Sequence, residues 1–77
     1  MATSIHSPRY REVCRRLRQA RIAAGLTQEE VARRLKRDQT FVSKVESGER
    51  RLDVIELDEF AEVLGKALTW FVPTRVR

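Results

Sequence analysis

Gln39, Thr40, Ser43, Lys44 and Ser47 share one side of a short predicted helix whose other side carries Val42 and Val45. All five are polar, and each is short or flexible enough to reach the edge of a base. Their chemistry is hydrogen bonding rather than bond breaking. The chain holds one histidine, His6, and one cysteine, Cys14. It shows no clustered carboxylates in an apolar setting and no glycine-rich phosphate loop, so an enzyme is poorly supported. One His and one Cys make neither an internal disulfide nor a structural zinc site, and no cofactor or metal is expected.

The charge pattern points the same way. The 77 residues carry a formal charge of +5, with 13 Arg against 3 Lys. Residues 1–51 balance at +7, whereas residues 52–72 balance at −4. A basic body with an acidic C-terminal segment suits a nucleic acid on one face only. Arginine forks match phosphates and guanine edges better than ammonium groups do. With 42% hydrophobic and 35% charged residues, the composition is that of a small globule rather than a disordered chain. No apolar run approaches the roughly 18 residues that a membrane helix requires. The setting expected from these features is cytoplasmic, with no membrane partner.

These side chains need helices to position them. Ser7 and Pro8 start the first, a good N-cap followed by proline at the first helical position. Tyr10, Val13, Cys14, Leu17, Ala20, Arg21 and Ala24 then share one face, and Gly25 closes it. Arg21 on that inner face needs a partner, because a buried unpaired guanidinium is costly. Thr27 and Glu30 form a capping box for a second helix with Val31, Ala32 and Leu35 inward. Lys36, Arg37 and Asp38 must turn the chain, Asp38 serving as N-cap of a third helix through Ser47. Phe41 fits either the core or an approach to a ligand. Asp53 and Glu56 make a second capping box, and Leu57, Phe60, Ala61 and Leu64 give the fourth helix an apolar stripe. Ala67 to Val72 is a short fifth helix or turn, stopped by Pro73. The class is all-α. Residues 1–6 are expected to be a flexible arm, 7–73 the folded domain and 74–77 a flexible basic tail.

Two short helices joined by a three-residue turn make a helix-turn-helix. Residues 17–64 resemble the Xre-type helix-turn-helix domains, related to the lambdoid phage repressors and Cro. The resemblance rests on Arg21, on Gly25-Leu26-Thr27-Gln28-Glu29-Glu30-Val31-Ala32, on Phe41-Val42-Ser43-Lys44-Val45-Glu46-Ser47-Gly48, and on Leu64-Gly65. It implies a compact five-helix repressor-like domain that binds double-stranded DNA, usually as a homodimer, through a recognition helix at 39–47. The pattern departs at the turn, where Lys36 and Arg37 replace a glycine and an apolar residue.

Several roles follow from the resemblance. Gln39, Thr40, Ser43 and Lys44 would face bases: Gln39 an adenine, Lys44 a guanine, Thr40 a thymine methyl or a base acceptor. Gln28 would contact a phosphate and brace the recognition helix. Arg37, Ser47, the Gly48 N–H, Arg50 and Arg51 would hold phosphates. Arg21 and Glu46 would form a nearly buried ion pair. Trp70, Phe71 and Val72 are dimer-interface candidates, the reading preferred over closing the core because two large aromatics sit where the family usually dimerises, and both roles can hold together. RNA polymerase is a further candidate partner, through an acidic patch such as Glu29. Phage-type repressor, restriction–modification controller and antitoxin remain open as subtypes. The alternative from another class is a protein-interaction module on the same fold.

Overall fold

The computed structural model describes residues 7–73 and places four α-helices and one 3-10 turn there: α1 Pro8–Ala23, α2 Gln28–Leu35, α3 Gln39–Ser47, α4 Val54–Leu64, and the turn Leu68–Phe71. No strand occurs among the described residues. The expected arm at 1–6 and tail at 74–77 lie outside them.

Local chemistry accounts for each start. The Ser7 hydroxyl accepts from the Tyr10 N–H at 3.2 Å, with Pro8 opening α1. Thr27 and Glu30 exchange both capping-box bonds, at 3.1 and 2.8 Å. Asp53 and Glu56 do the same, at 2.7 and 3.0 Å. Asp38 differs from expectation. It occupies the N-cap of α3 in extended backbone, but its side chain makes no capping bond.

The sharp turn between α2 and α3 is set by Lys36, the sole non-glycine residue at positive φ among those described (φ 60°, ψ 43°). The Arg37 N–H then returns to the Ala32 carbonyl at 2.9 Å and closes the end of α2. A side chain in this conformation crowds its own carbonyl, and glycine escapes that crowding. Lys36→Gly is therefore expected to stabilise the domain by about 0.5–1 kcal/mol, allowing for the greater freedom of glycine in the unfolded chain. Urea titration checks it; an unchanged or lower midpoint rejects it.

One core gathers the inner faces: Leu17 of α1, Val31 of α2, Val42 and Val45 of α3, and Phe60 of α4 are almost fully buried. Phe41, left open between core and ligand, belongs to the core. It is 9% exposed and stacks on Phe60 with centroids 5.9 Å apart. The fifth element is one turn of 3-10 helix rather than a full helix, and it packs on α1 and α4. Phe71 is buried completely in the core of its own chain. It is thus not available to a dimer interface, whereas Trp70 and Val72 on either side are exposed. Two α1 arginines hold this segment by its backbone. Arg16 donates to the Trp70 carbonyl at 2.8 Å and Arg9 to the Pro73 carbonyl at 3.0 Å. No helix among the described residues is long and apolar enough to cross a membrane.

Candidate nucleic-acid interface

α3 turns Val42 and Val45 fully inward, which leaves Gln39, Thr40 and Lys44 exposed and Ser43 half-buried on the opposite side. The helical period requires this outcome, since positions three apart share a face.

A chain of polar groups links this face to the interior. Arg21 donates to both oxygens of Glu46, Nε to Oε2 at 2.6 Å and Nη2 to Oε1 at 3.1 Å. Its Nη1 donates to the Leu26 carbonyl at 2.9 Å. The Gln28 amide nitrogen donates to Glu46 Oε1 at 3.0 Å, and the Gln39 amide nitrogen donates to Gln28 Oε1 at 2.7 Å. A carboxylate can only accept, so Glu46 fixes which end of the Gln28 amide points toward it. Gln28 then presents oxygen to Gln39, and Gln39 must answer with nitrogen. This leaves Gln39 one N–H and its carbonyl oxygen, the pair that matches adenine N7 and N6. The Arg21–Glu46 pair is 12% and 4% exposed at its side chains, so solvent does little to loosen the first link.

Arg37, Ser47, Gly48, Arg50 and Arg51, expected on phosphates, lie at or beyond the two ends of α3. Arg37 and Arg51 are exposed, each with its guanidinium near an aromatic ring, Arg37 3.8 Å from the Phe41 centroid and Arg51 5.0 Å from that of Tyr10. Arg37 also approaches Glu56, with Nη1 3.5 Å from Oε2. The Ser47 hydroxyl donates back to the Lys44 carbonyl at 3.1 Å. The Gly48 N–H is spent on the end of α3, donating to the Val45 carbonyl at 3.1 Å. Arg50 is gripped by Glu56, with Nη2 on Oε2 at 3.0 Å and Nη1 on Oε1 at 3.2 Å. Burial pushes the Glu56 carboxyl up, but the Asp53 N–H and the Arg50 and Arg37 guanidiniums more than offset it and hold the group below its ordinary value.

Tyr10 is a positioning residue that helical periodicity assigns only to the core. Its hydroxyl donates to the Arg50 carbonyl at 2.6 Å and accepts from the Leu52 N–H at 3.0 Å, tying the loop after α3 to α1. Burial raises its pKa, so it stays a donor throughout the physiological range. Helical spacing gives Ile22 no role. It is exposed and lines a shallow apolar pocket with Ala23, Lys66 and Trp70.

A short exposed reading helix, braced by the preceding helix and set on a buried core, defines a helix-turn-helix DNA-binding regulator. The helix-turn-helix family model matches residues 17–71. The chain belongs to the XRE-type helix-turn-helix family. It is 49% identical to an XRE-family like protein from Pseudomonas syringae pv. tomato, with a TM-score of 0.80 over 87% of this chain and 82% of that one. It is 30% identical to the restriction-modification controller protein C.AhdI from Aeromonas hydrophila, with a TM-score of 0.73 over 77% and 86% of the two chains. A hypothetical transcription factor, NHTF from Neisseria, shares 27% identity with a TM-score of 0.77, over 95% of this chain and 83% of that one. No curated protein matches the chain.

Proposed function

We propose that this chain is a sequence-specific, repressor-like transcriptional regulator that inserts α3 into the major groove of duplex DNA. The observation that carries the reading is the polar relay from Arg21 through Glu46 and Gln28, which aims the free edge of the Gln39 amide outward beside Thr40 and Lys44. Gln39, Thr40, Ser43 and Lys44 read bases. Gln28, Arg37 and Arg51 contact phosphates, joined by Ser47 once its hydroxyl turns away from the Lys44 carbonyl. Phosphate contacts supply most of the affinity and base contacts the selectivity.

The regulator works as a homodimer on a pseudo-palindromic operator. Support comes from the apolar pocket that Ile22 and Trp70 line together, both exposed, with Val72 a further exposed apolar residue two positions from Trp70. Two copies joined there would set their recognition helices about 34 Å apart, one turn of the duplex. Glu29, exposed at the start of α2, offers a contact to RNA polymerase.

Site selection from random duplexes tests the reading, followed by affinity measurements on the enriched site. Lys44→Ala is expected to relax one base position and to cost about 1–3 kcal/mol. Selection that enriches no sequence rejects a specific regulator. A tight protein partner together with no DNA affinity would instead favour an interaction module, such as an antitoxin-like partner.

A further inference from the structure

Two arginines from different loops meet over one ring. Arg37 comes from the turn before α3 and Arg50 from the loop after it. Their Cζ atoms lie 3.8 and 4.9 Å from the centroid of Phe41. Glu56, on the first turn of α4, faces both of them. The two are held very differently. Both carboxylate oxygens grip Arg50, at 3.0 and 3.2 Å, and its Nη1 also donates to the Arg51 carbonyl. Arg37 makes one looser approach to Glu56, with Nη1 3.5 Å from Oε2. Exposure does not explain the difference, since the two side chains are 38% and 37% exposed.

We infer that Glu56 is a positioning residue that withholds Arg50 from the DNA and leaves Arg37 as the phosphate-contacting arginine of this pair. The inference rests on the duplex-binding reading above and divides the labour within it. To offer its outer, two-nitrogen end to a phosphate, Arg50 must give up a two-point, charge-assisted pair with a mostly buried carboxylate, and while that pair holds, its charge is already balanced and only the Nε side of the guanidinium is left. A phosphate at the surface, screened by salt, competes poorly with that. Arg37 has only its single 3.5 Å approach to Glu56 to lose. The contact of its Cζ with the Phe41 ring face restrains the guanidinium without using its N–H groups, and this pre-orientation lowers the entropy lost on contact. One carboxylate thereby limits the count of phosphate contacts beside the recognition helix. Fewer phosphate contacts mean weaker binding to arbitrary sequence, so a larger share of the affinity comes from the bases.

Salt titrations on a selected duplex and on an unrelated one test this, using wild type, Arg37→Ala, Arg50→Ala, Glu56→Gln and the double variant Glu56→Gln/Arg50→Ala. Glutamine is also a good capping-box residue, so Glu56→Gln retains the start of α4; far-UV circular dichroism checks that it does. The slope of log affinity against log salt is expected to flatten by about one unit in Arg37→Ala and by far less in Arg50→Ala. Glu56→Gln should steepen it by about one unit on both duplexes, and adding Arg50→Ala should return it to the wild-type value. A loss of about one unit in Arg50→Ala alone overturns the inference while leaving the DNA-binding reading intact. So does a folded Glu56→Gln with an unchanged slope. If Glu56→Gln fails to fold, Arg50→Ala decides by itself. Wild-type protein that binds neither duplex overturns the inference and the reading together.

Discussion

Glu46→Ala is expected to destabilise the domain by about 3–5 kcal/mol, because it strands a buried guanidinium. Arg21 has three hydrogen bonds in the folded chain, two to Glu46 and one to the Leu26 carbonyl. Alanine removes the opposing charge and leaves most of the desolvation cost in place. The asymmetry is itself a test. Replacing both partners with apolar residues of similar volume, as in Arg21→Met/Glu46→Leu, should cost much less than the single change, since no charge is left buried. Urea melts of the two variants decide the matter, and a loss below about 1 kcal/mol for Glu46→Ala rejects the pair as an energetic element. The same variant should affect recognition. Without the carboxylate, nothing orients the Gln28 amide, and Gln39 can present either end to a base. Discrimination at the position Gln39 reads should therefore fall even under conditions where the variant remains folded.

Phe71→Ala is expected to cost about 3–5 kcal/mol, the range for truncating a buried phenylalanine. The side chain is wholly inaccessible, and its 3-10 turn packs on α1 and α4, so truncation opens a cavity where those helices meet. Trp70→Ala is the informative companion. Trp70 meets the Phe71 ring edge-on at 5.1 Å but is 38% exposed. Its loss should disturb monomer stability less and self-association more. Thermal melts across a range of protein concentrations, with sedimentation to report mass, separate the two effects. If Phe71→Ala melts like wild type, the segment after α4 is not part of the core. If Trp70→Ala leaves the mass in solution unchanged, the proposed interface lies elsewhere, and the exposed Val54 and Ile55 at the start of α4 become the next surface to test.

The two arginines at Phe41 show where resemblance and geometry part. Similarity in the loop after α3 assigns phosphate contacts to Ser47, the Gly48 N–H, Arg50 and Arg51. The folded chain instead gives Arg50 to Glu56, Gly48 to the end of α3 and the Ser47 hydroxyl to the Lys44 carbonyl. Departure from the usual turn pattern at Arg37 brings that residue to the same cluster, over a ring that helical periodicity alone could not orient.

Near-neighbour chemistry in the chain was enough to determine the helices and their starts, the outward polar face of α3 and the inward placement of Arg21. Those features depend on residues three or four positions apart, where helical geometry leaves little choice. The two capping boxes appear as expected for that reason, whereas Asp38 lacks its capping bond because a side-chain rotamer is not set by spacing. Tertiary structure alone decided that Phe71 fills the core, that Tyr10 ties down a loop 40 positions away, and that Arg16 and Arg9 clasp carbonyls 54 and 64 positions away. The acceptors in these contacts are backbone carbonyls, which every residue carries. No residue type marks them in advance, and only the packed chain brings donor and acceptor together.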